Sequence, residues 1–321
     1  IIPDELMASI PFDLLLCESA DHESLRYDRL PYLIRNHNIS YSYSATLHFN
    51  TTKSMKAGGR RLLAVAPLYD QGNRNINESD PVISLWNSLA PLPYARDEVE
   101  GIRRHIKGRT LAGPEATEYR FKYEAPEYGL LHLAMHTIID ESDPMFSKLA
   151  FSMGGSDSLD DGFLYVHEIY NLDLNARLTV LSSCSSGAGR IQVGEGIMSI
   201  ARSFLYAGSP SIIMTLWEVE DRSGSEIMNR FYFYLKKGFT IDRALRRSKL
   251  DYLDNAGLLR SHPYFWSAYI SIGDRSALYR HVSFRWVVFI GIGTLTILVV
   301  FMFLKRKLFR IKKIPEVRIV K

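Results

Sequence analysis

Short apolar runs separated by stretches of helical periodicity constrain this chain most. RLLAVAP (61–67), GLLHLAM (129–135), RLTVLSS (177–183) and SIIMTLW (211–217) are each long enough for one core strand and too short for a core helix. Between them lie amphipathic stretches. Val99, Ile102 and Ile106 recur at helical spacing in residues 95–106, as do Ile197, Ile200, Ala201, Phe204 and Leu205 in 195–207, where Gly208 suits a C-terminal cap. Ser223-x-x-Glu226 has the capping-box pattern of a helix that Gly238 would close, a further helix spans 240–254, and FWSAYISIG (265–273) reads as a last strand. Continuous apolar strands alternating with helices predict an α/β fold, a mostly parallel sheet covered on both faces. Residues 148–153 and 162–166 flank GGSDSLDDG and read as a hairpin. Its Asp157, Asp160 and Asp161 lack EF-hand spacing and read as solvated loop residues.

A second signal bounds the fold at its end. Residues 286–304, WVVFIGIGTLTILVVFMFL, carry no charge over nineteen positions, enough helix to cross about 28 Å of hydrocarbon. Arg285-Trp286 before it and KRKLFRIKK after it suit a membrane interface, so the expectation is a transmembrane helix in a lipid bilayer. The expected organisation is a domain over 1–275, a juxtamembrane linker over 276–285, the span over 286–304 and a basic tail over 305–321. The net charge of +4 belongs to that tail, because residues 284–321 hold nine Lys/Arg and one Glu. No basic run interrupts residues 1–283, which argues against a nucleic-acid partner. Seven basic residues within reach after the span against three before it place the tail in the cytoplasm and the domain on the opposite side. Against this, a large folded domain can ignore local charge, and a thiol enzyme works most easily in a reducing compartment. The chain opens Ile-Ile-Pro, so the expectation is a segment of a longer protein.

In parallel α/β sheets ligands bind beyond the carboxyl ends of the strands, which directs attention to the residues ending the apolar runs. His136 ends GLLHLAMH and Cys184 ends RLTVLSSC, before Ser185-Ser186-Gly187-Ala188-Gly189. If the two strands are parallel neighbours, both residues emerge on one edge. An imidazole near a thiol favours the nucleophilic thiolate, and a Ser/Gly-rich turn offers backbone N–H groups to an oxyanion. The bland alternatives are a small buried cysteine and a satisfied strand-end histidine. His132 shares a strand face with His136 but stands about 13 Å away, too far to chelate one metal ion. Cys17, with no histidine-ended strand to match it, reads as structural. No G-x-S-x-G elbow supports a serine esterase.

The residues resemble the CHAT family, relatives of caspases and separase, in which HxAxH and SxC segments bear the histidine and cysteine. The resemblance runs through LPYLIRNHNISYSYSATL (30–47), LLAVAPLYD (62–70), LPYARDEVEGI (92–102), ATEYRFK (116–122), HLAMH (132–136), VLSSCSSGAG (180–189), GEGIMSIARSFLYAGSPSIIMTLWEVED (194–221) and FYFYLKKG (231–238). It implies a caspase-like α/β/α sandwich and a cysteine endopeptidase that hydrolyses peptide bonds through Cys184 assisted by His136. It also implies backbone N–H groups of Thr137 and Cys184 at the oxyanion, no metal or organic cofactor, a protein or peptide substrate, and a preceding tetratricopeptide-repeat (TPR) region. Many members have Gly where this chain has Thr137, which alters the turn but keeps an N–H. In separase a similar W-x-V-x-D segment presents an acid to the substrate's basic side chain. Asp221 in LWEVED would then select Arg or Lys, or else it serves only as a carboxylate at a helix N-terminus. The alternative to a protease is a catalytically idle interaction module at the membrane.

Overall fold

The computed structural model describes residues 1–19, 26–51, 59–69, 80–153, 160–182, 184–185, 195–279, 296–302 and 304–305. The chain forms two units, Ile1–Tyr279 and Arg280–Lys321. In the first, the expected runs become strands β1 (Leu62–Pro67), β3 (Leu130–Leu133), β7 (Leu178–Leu181) and β9 (Ser211–Thr215). With β2 (Gly108–Gly113) and β10 (Tyr269–Gly273) they form a six-stranded sheet in the order β10-β9-β7-β3-β1-β2. All neighbours are parallel except β10, which runs antiparallel to β9. The sheet is therefore largely parallel, as expected of continuous apolar strands.

The sheet is covered on both sides because its side chains alternate between two cores. Leu63 and Val65 of β1 enter one, Leu62 and Ala64 the other, and all four are fully buried. A buried Leu or Val side chain contributes roughly 1.5–3 kcal/mol. The first core is closed by Phe121 of α4 (Glu118–Glu124), Ile169 of α5 (Val166–Ile169) and Phe204 of α6 (Glu195–Tyr206). The second is closed by Val99 of α3 (Ala95–His105), Phe231 of α7 (Asp221–Lys236) and Leu245 of α8 (Ile241–Asn255). Gly208 ends α6 at φ +113°, and a Cβ there would meet the Leu174 carbonyl oxygen at 2.3 Å, so the cap excludes side chains.

Several expectations are corrected. α7 begins at Asp221 with Glu220 as its N-cap, so Ser223 lies inside the helix rather than capping it. Arg260 holds the Glu220 carboxylate at 3.1 Å, and Ser223 Oγ donates to that carboxylate, which draws the helix start forward. Leu278 and Tyr279, in the expected linker, are buried in the second core. Of the hairpin acids, Asp160 meets Lys122 at 3.2 Å and Asp161 accepts from Phe163 N at 2.9 Å; Asp157 lies outside the described residues. Residues 286–295 and 303 of the expected span also lie outside them. Residues 296–302 are helical, and among the described residues no helix is long and apolar enough to cross a membrane.

Candidate active site

His136 and Cys184 were expected at the ends of β3 and β7; instead each opens a strand of a second, smaller sheet. This sheet has the order β6-β5-β4-β8, with β4 (His136–Ile138), β5 (Lys148–Ala150), β6 (Phe163–Tyr165) and β8 (Cys184–Ser185). β5 and β6 form the expected antiparallel hairpin. β4 and β8 are parallel neighbours in which His136 pairs with Cys184 and Thr137 with Ser185. Because β3 and β7 are themselves parallel neighbours, the chain leaves both at the same sheet edge and resumes the pairing beyond it. Thr137 also lies opposite Leu149 of β5, so β4 has a neighbour on each side there. Ser186 to Gly189, the expected oxyanion turn, lie outside the described residues.

The His136 ring is 3% exposed and held from two directions. Its Nε2 lies 2.7 Å from the carbonyl oxygen of Ala90. A carbonyl only accepts, so Nε2 carries the hydrogen and a neutral ring keeps Nδ1 as its basic nitrogen. Nδ1 is buried with no hydrogen-bond partner among the described residues. The Tyr69 ring packs against the imidazole at 4.7 Å, and its hydroxyl accepts from His136 N at 3.1 Å while donating to the Ala150 carbonyl at 2.6 Å. A fixed ring with one basic nitrogen left over is the arrangement that a general base requires.

Ala90 belongs to a strap, residues 88–94, between α2 (Pro81–Asn87) and α3. The strap's far end reaches the other expected site residue, since Tyr94 N donates to Asp221 Oδ2 at 2.6 Å. Asp221 is thus the first residue of α7 and lines a slot with Leu92, Glu98, Ala134, Ser182 and Tyr269. Ala134 and Ser182 each stand two residues before His136 and Cys184, so slot and pair share one sheet edge. Burial pushes the Asp221 carboxyl above its ordinary range against the pull of the Tyr94 N–H, and Glu98 adds to the rise. Gly224 completes the slot; a Cβ there would stand 2.9 Å from the Tyr269 hydroxyl.

His132 and Cys17 need separate treatment. His132 is fully buried between Glu98, 2.8 Å from Nε2, and the Tyr232 hydroxyl, 3.2 Å from Nδ1. Among the described residues no group of His, Cys, Asp or Glu could hold a metal ion. Cys17, expected to be structural, is exposed. Sequence reasoning missed the Ala90 carbonyl, Tyr69 and Glu98. A backbone carbonyl leaves no residue-type signal, whereas Glu98 amid the apolar face of α3 was a detectable anomaly.

The CHAT domain family model matches residues 1–274. Tetratricopeptide repeat protein 28 of Mus musculus is 24% identical over 295 residues, covering 83% of this chain and 12% of the relative; the Homo sapiens protein is 24% identical, with 83% and 11% covered. The chain thus spans about a tenth of the length of these relatives. Among solved structures, the separase–securin complex of Saccharomyces cerevisiae is similar at TM-score 0.42 and 15% identity, covering 78% of this chain and 14% of that one. The Arg-specific cysteine proteinase gingipain R is similar at TM-score 0.42 and 10% identity, covering 68% and 47%. With the family model covering all but the last part of the chain, this protein belongs to the CHAT domain family.

Proposed function

We propose that this CHAT domain is a cysteine endopeptidase in which Cys184 is the nucleophile and His136 its general base. The observation that carries the reading is the pairing of His136 with Cys184 at the sheet edge, with Nε2 anchored on Ala90 and Nδ1 unpartnered among the described residues. In the proposed reaction His136 takes the thiol proton, and the Cys184 sulfur adds to the peptide carbonyl carbon. The tetrahedral oxyanion is met by backbone N–H groups at Thr137 and Cys184. His136 then gives the proton to the departing amine, and water hydrolyses the thioester. Asp221 is the proposed determinant for Arg or Lys at the cleavage position. Its support is a part-buried carboxylate in a slot on the same edge.

The test is labelling of Cys184 by a thiol-directed electrophile together with hydrolysis of a peptide library. Because Cys17 is exposed, both are run in a Cys17→Ser background. Cys184→Ala is expected to abolish hydrolysis and labelling together; unchanged hydrolysis would sink the proposal. A second reading, an idle interaction module, draws on the burial of His136 and the narrowness of the slot. It predicts a folded, partner-binding protein that never turns over a peptide.

The domain is further proposed to act at a membrane, downstream of TPR repeats, with protein substrates. Support for the membrane comes from the uncharged run 286–304 and from its helical part, where Ile297, Phe301, Met302 and Leu304 are more than half exposed. Support for the repeats comes only from the name of the relatives. The charge bias supports a tail inside and a domain outside. Protease shaving of intact spheroplasts is expected to digest the domain; resistance until the membrane is broken would reverse the topology.

A further inference from the structure

The parallel strands of the main sheet start in register, Leu62 opposite Gly108 and Leu130, and Leu130 opposite Leu178. They therefore share an amino edge, at the other end of the strands from His136 and Cys184. At its β1–β2 end that edge is basic. Arg60 and Arg61 lead into β1, Lys107 leads into β2, Arg103 and Arg104 lie in the last turn of α3, and Lys236 and Lys237 end α7; all seven are exposed. No run of the sequence displays this face, because each group of cations comes from a different element. Cations in the last turn of a helix ordinarily offset its dipole, which amounts to about half a charge. Here α3 carries Arg103, Arg104 and His105 in that turn, while Arg60 and Arg61 precede a strand and have no helix end to serve. The carboxylates at this end are Glu124, already held by Arg109 at 3.1 Å, and Glu127. Toward β9 and β10, Asp242 and Asp274 accompany Arg275, and the excess of positive charge ends there.

The chain leaves the domain through this face. Tyr279, the last residue of the first unit, donates its hydroxyl to the Arg60 carbonyl at 3.2 Å, with the Arg60 guanidinium 5.6 Å and Lys236 Nζ 4.8 Å from its ring. Nearby, the exposed Phe233 ring meets His105 at 5.8 Å and Lys237 Nζ at 4.2 Å. Aromatic rings set among basic side chains are the composition of a membrane interface. We infer that this amino edge is a docking surface for anionic lipid headgroups, which turns the His136–Cys184 edge away from the bilayer. The inference rests on the reading of 286–304 as a membrane span. Residues 280–285 separate Tyr279 from Trp286, a distance of about 25 Å at full extension. A domain tethered so closely meets the headgroups at high effective concentration. Each cation brought within about 10 Å of an anionic surface then favours the docked state about 5-fold. Because α7 runs 16 residues between the two edges, docking holds the candidate site about 24 Å above the lipid. Nucleic-acid phosphates would also suit the cations, but the exit of the chain through this face toward an uncharged run favours lipid.

The test reads docking apart from insertion and from catalysis. The full 321-residue chain, in a Cys17→Ser/Cys184→Ala background, carries a fluorophore at Phe233→Cys and is reconstituted in phosphatidylcholine nanodiscs with a headgroup-attached quencher, with or without phosphatidylglycerol. Expected is a docked-to-free ratio at least about 10-fold higher with phosphatidylglycerol, a gain that high salt removes and that Arg103→Gln/Arg104→Gln/Lys107→Gln removes as well. The same fluorophore at Leu259→Cys should stay unquenched, since Leu259 is exposed beside Arg260, which holds Glu220 at the start of α7. A label at 233 that is indifferent to phosphatidylglycerol overturns the inference, as does equal quenching from position 259. Both comparisons use unaltered cations, so they decide the matter even if the triple variant does not fold. A chain that inserts and fails them overturns the docking alone. A chain that never enters the discs overturns the membrane-span reading, and the docking with it. Binding of a single-stranded oligonucleotide that the triple variant loses, with no response to phosphatidylglycerol, would assign the edge to nucleic acid and overturn the inference.

Discussion

His136→Gln is expected to lower peptide hydrolysis by about 10²–10⁴-fold while leaving the domain folded. The Gln amide nitrogen reaches the position of Nε2 and can still donate to the Ala90 carbonyl, so the anchoring contact seen at 2.7 Å has a replacement, whereas the basic Nδ1 has none. The loss should fall on kcat, because the ring's proposed task is proton transfer rather than substrate binding. A second readout separates chemistry from structure. Without the imidazole, alkylation of Cys184 should follow an ordinary thiol and require pH near about 8.5. Stopped-time alkylation across pH, beside a melting curve, measures both. A variant that melts normally and alkylates with the parent's pH profile would show that His136 does not activate the cysteine.

Lys249→Met is expected to destabilise the domain by about 3–5 kcal/mol, the largest effect expected away from the site. Lys249 is fully buried in α8 and its Nζ donates to Asp13 Oδ2 and to the carbonyls of Ser267 and Tyr269. Burial pushes the ammonium's pKa below its usual range, with Asp13 working against that. Removing it leaves a buried carboxylate and two carbonyls unsatisfied, which costs far more than the pair's net worth. The double variant Lys249→Met/Asp13→Leu should recover most of the loss, since an apolar pair of similar volume often replaces a buried ion pair at little cost. Urea unfolding with an unchanged m-value checks both. A single variant within about 0.5 kcal/mol of the parent would show that Lys249 is not the pin between the N-terminal segment and the sheet. Tyr269 matters here twice, because its carbonyl meets Lys249 while its hydroxyl lines the slot and contacts Ser182 at 3.1 Å.

The sequence by itself determined the parts whose signal is local. β1, β3, β7 and β9 were legible because a strand buried on both faces is apolar at every position, and α3, α6 and α8 because a helix buried on one side repeats every three or four residues. His136 and Cys184 could be singled out because chemistry-bearing residues ended apolar runs. Strand β2, GRTLAG, was not legible: it lies at the sheet edge, buries only Leu111, and carries no apolar run. Tertiary structure alone decided the rest. It paired His136 with Cys184 in a second sheet, because register between strands 48 residues apart is set by packing and not by either segment. It also brought the Ala90 carbonyl to His136, the Tyr94 N–H to Asp221, and Glu98 to His132. Backbone groups look alike at every position in a sequence, and a buried carboxylate acquires meaning only from what faces it, so these contacts exist only once the chain has closed on itself.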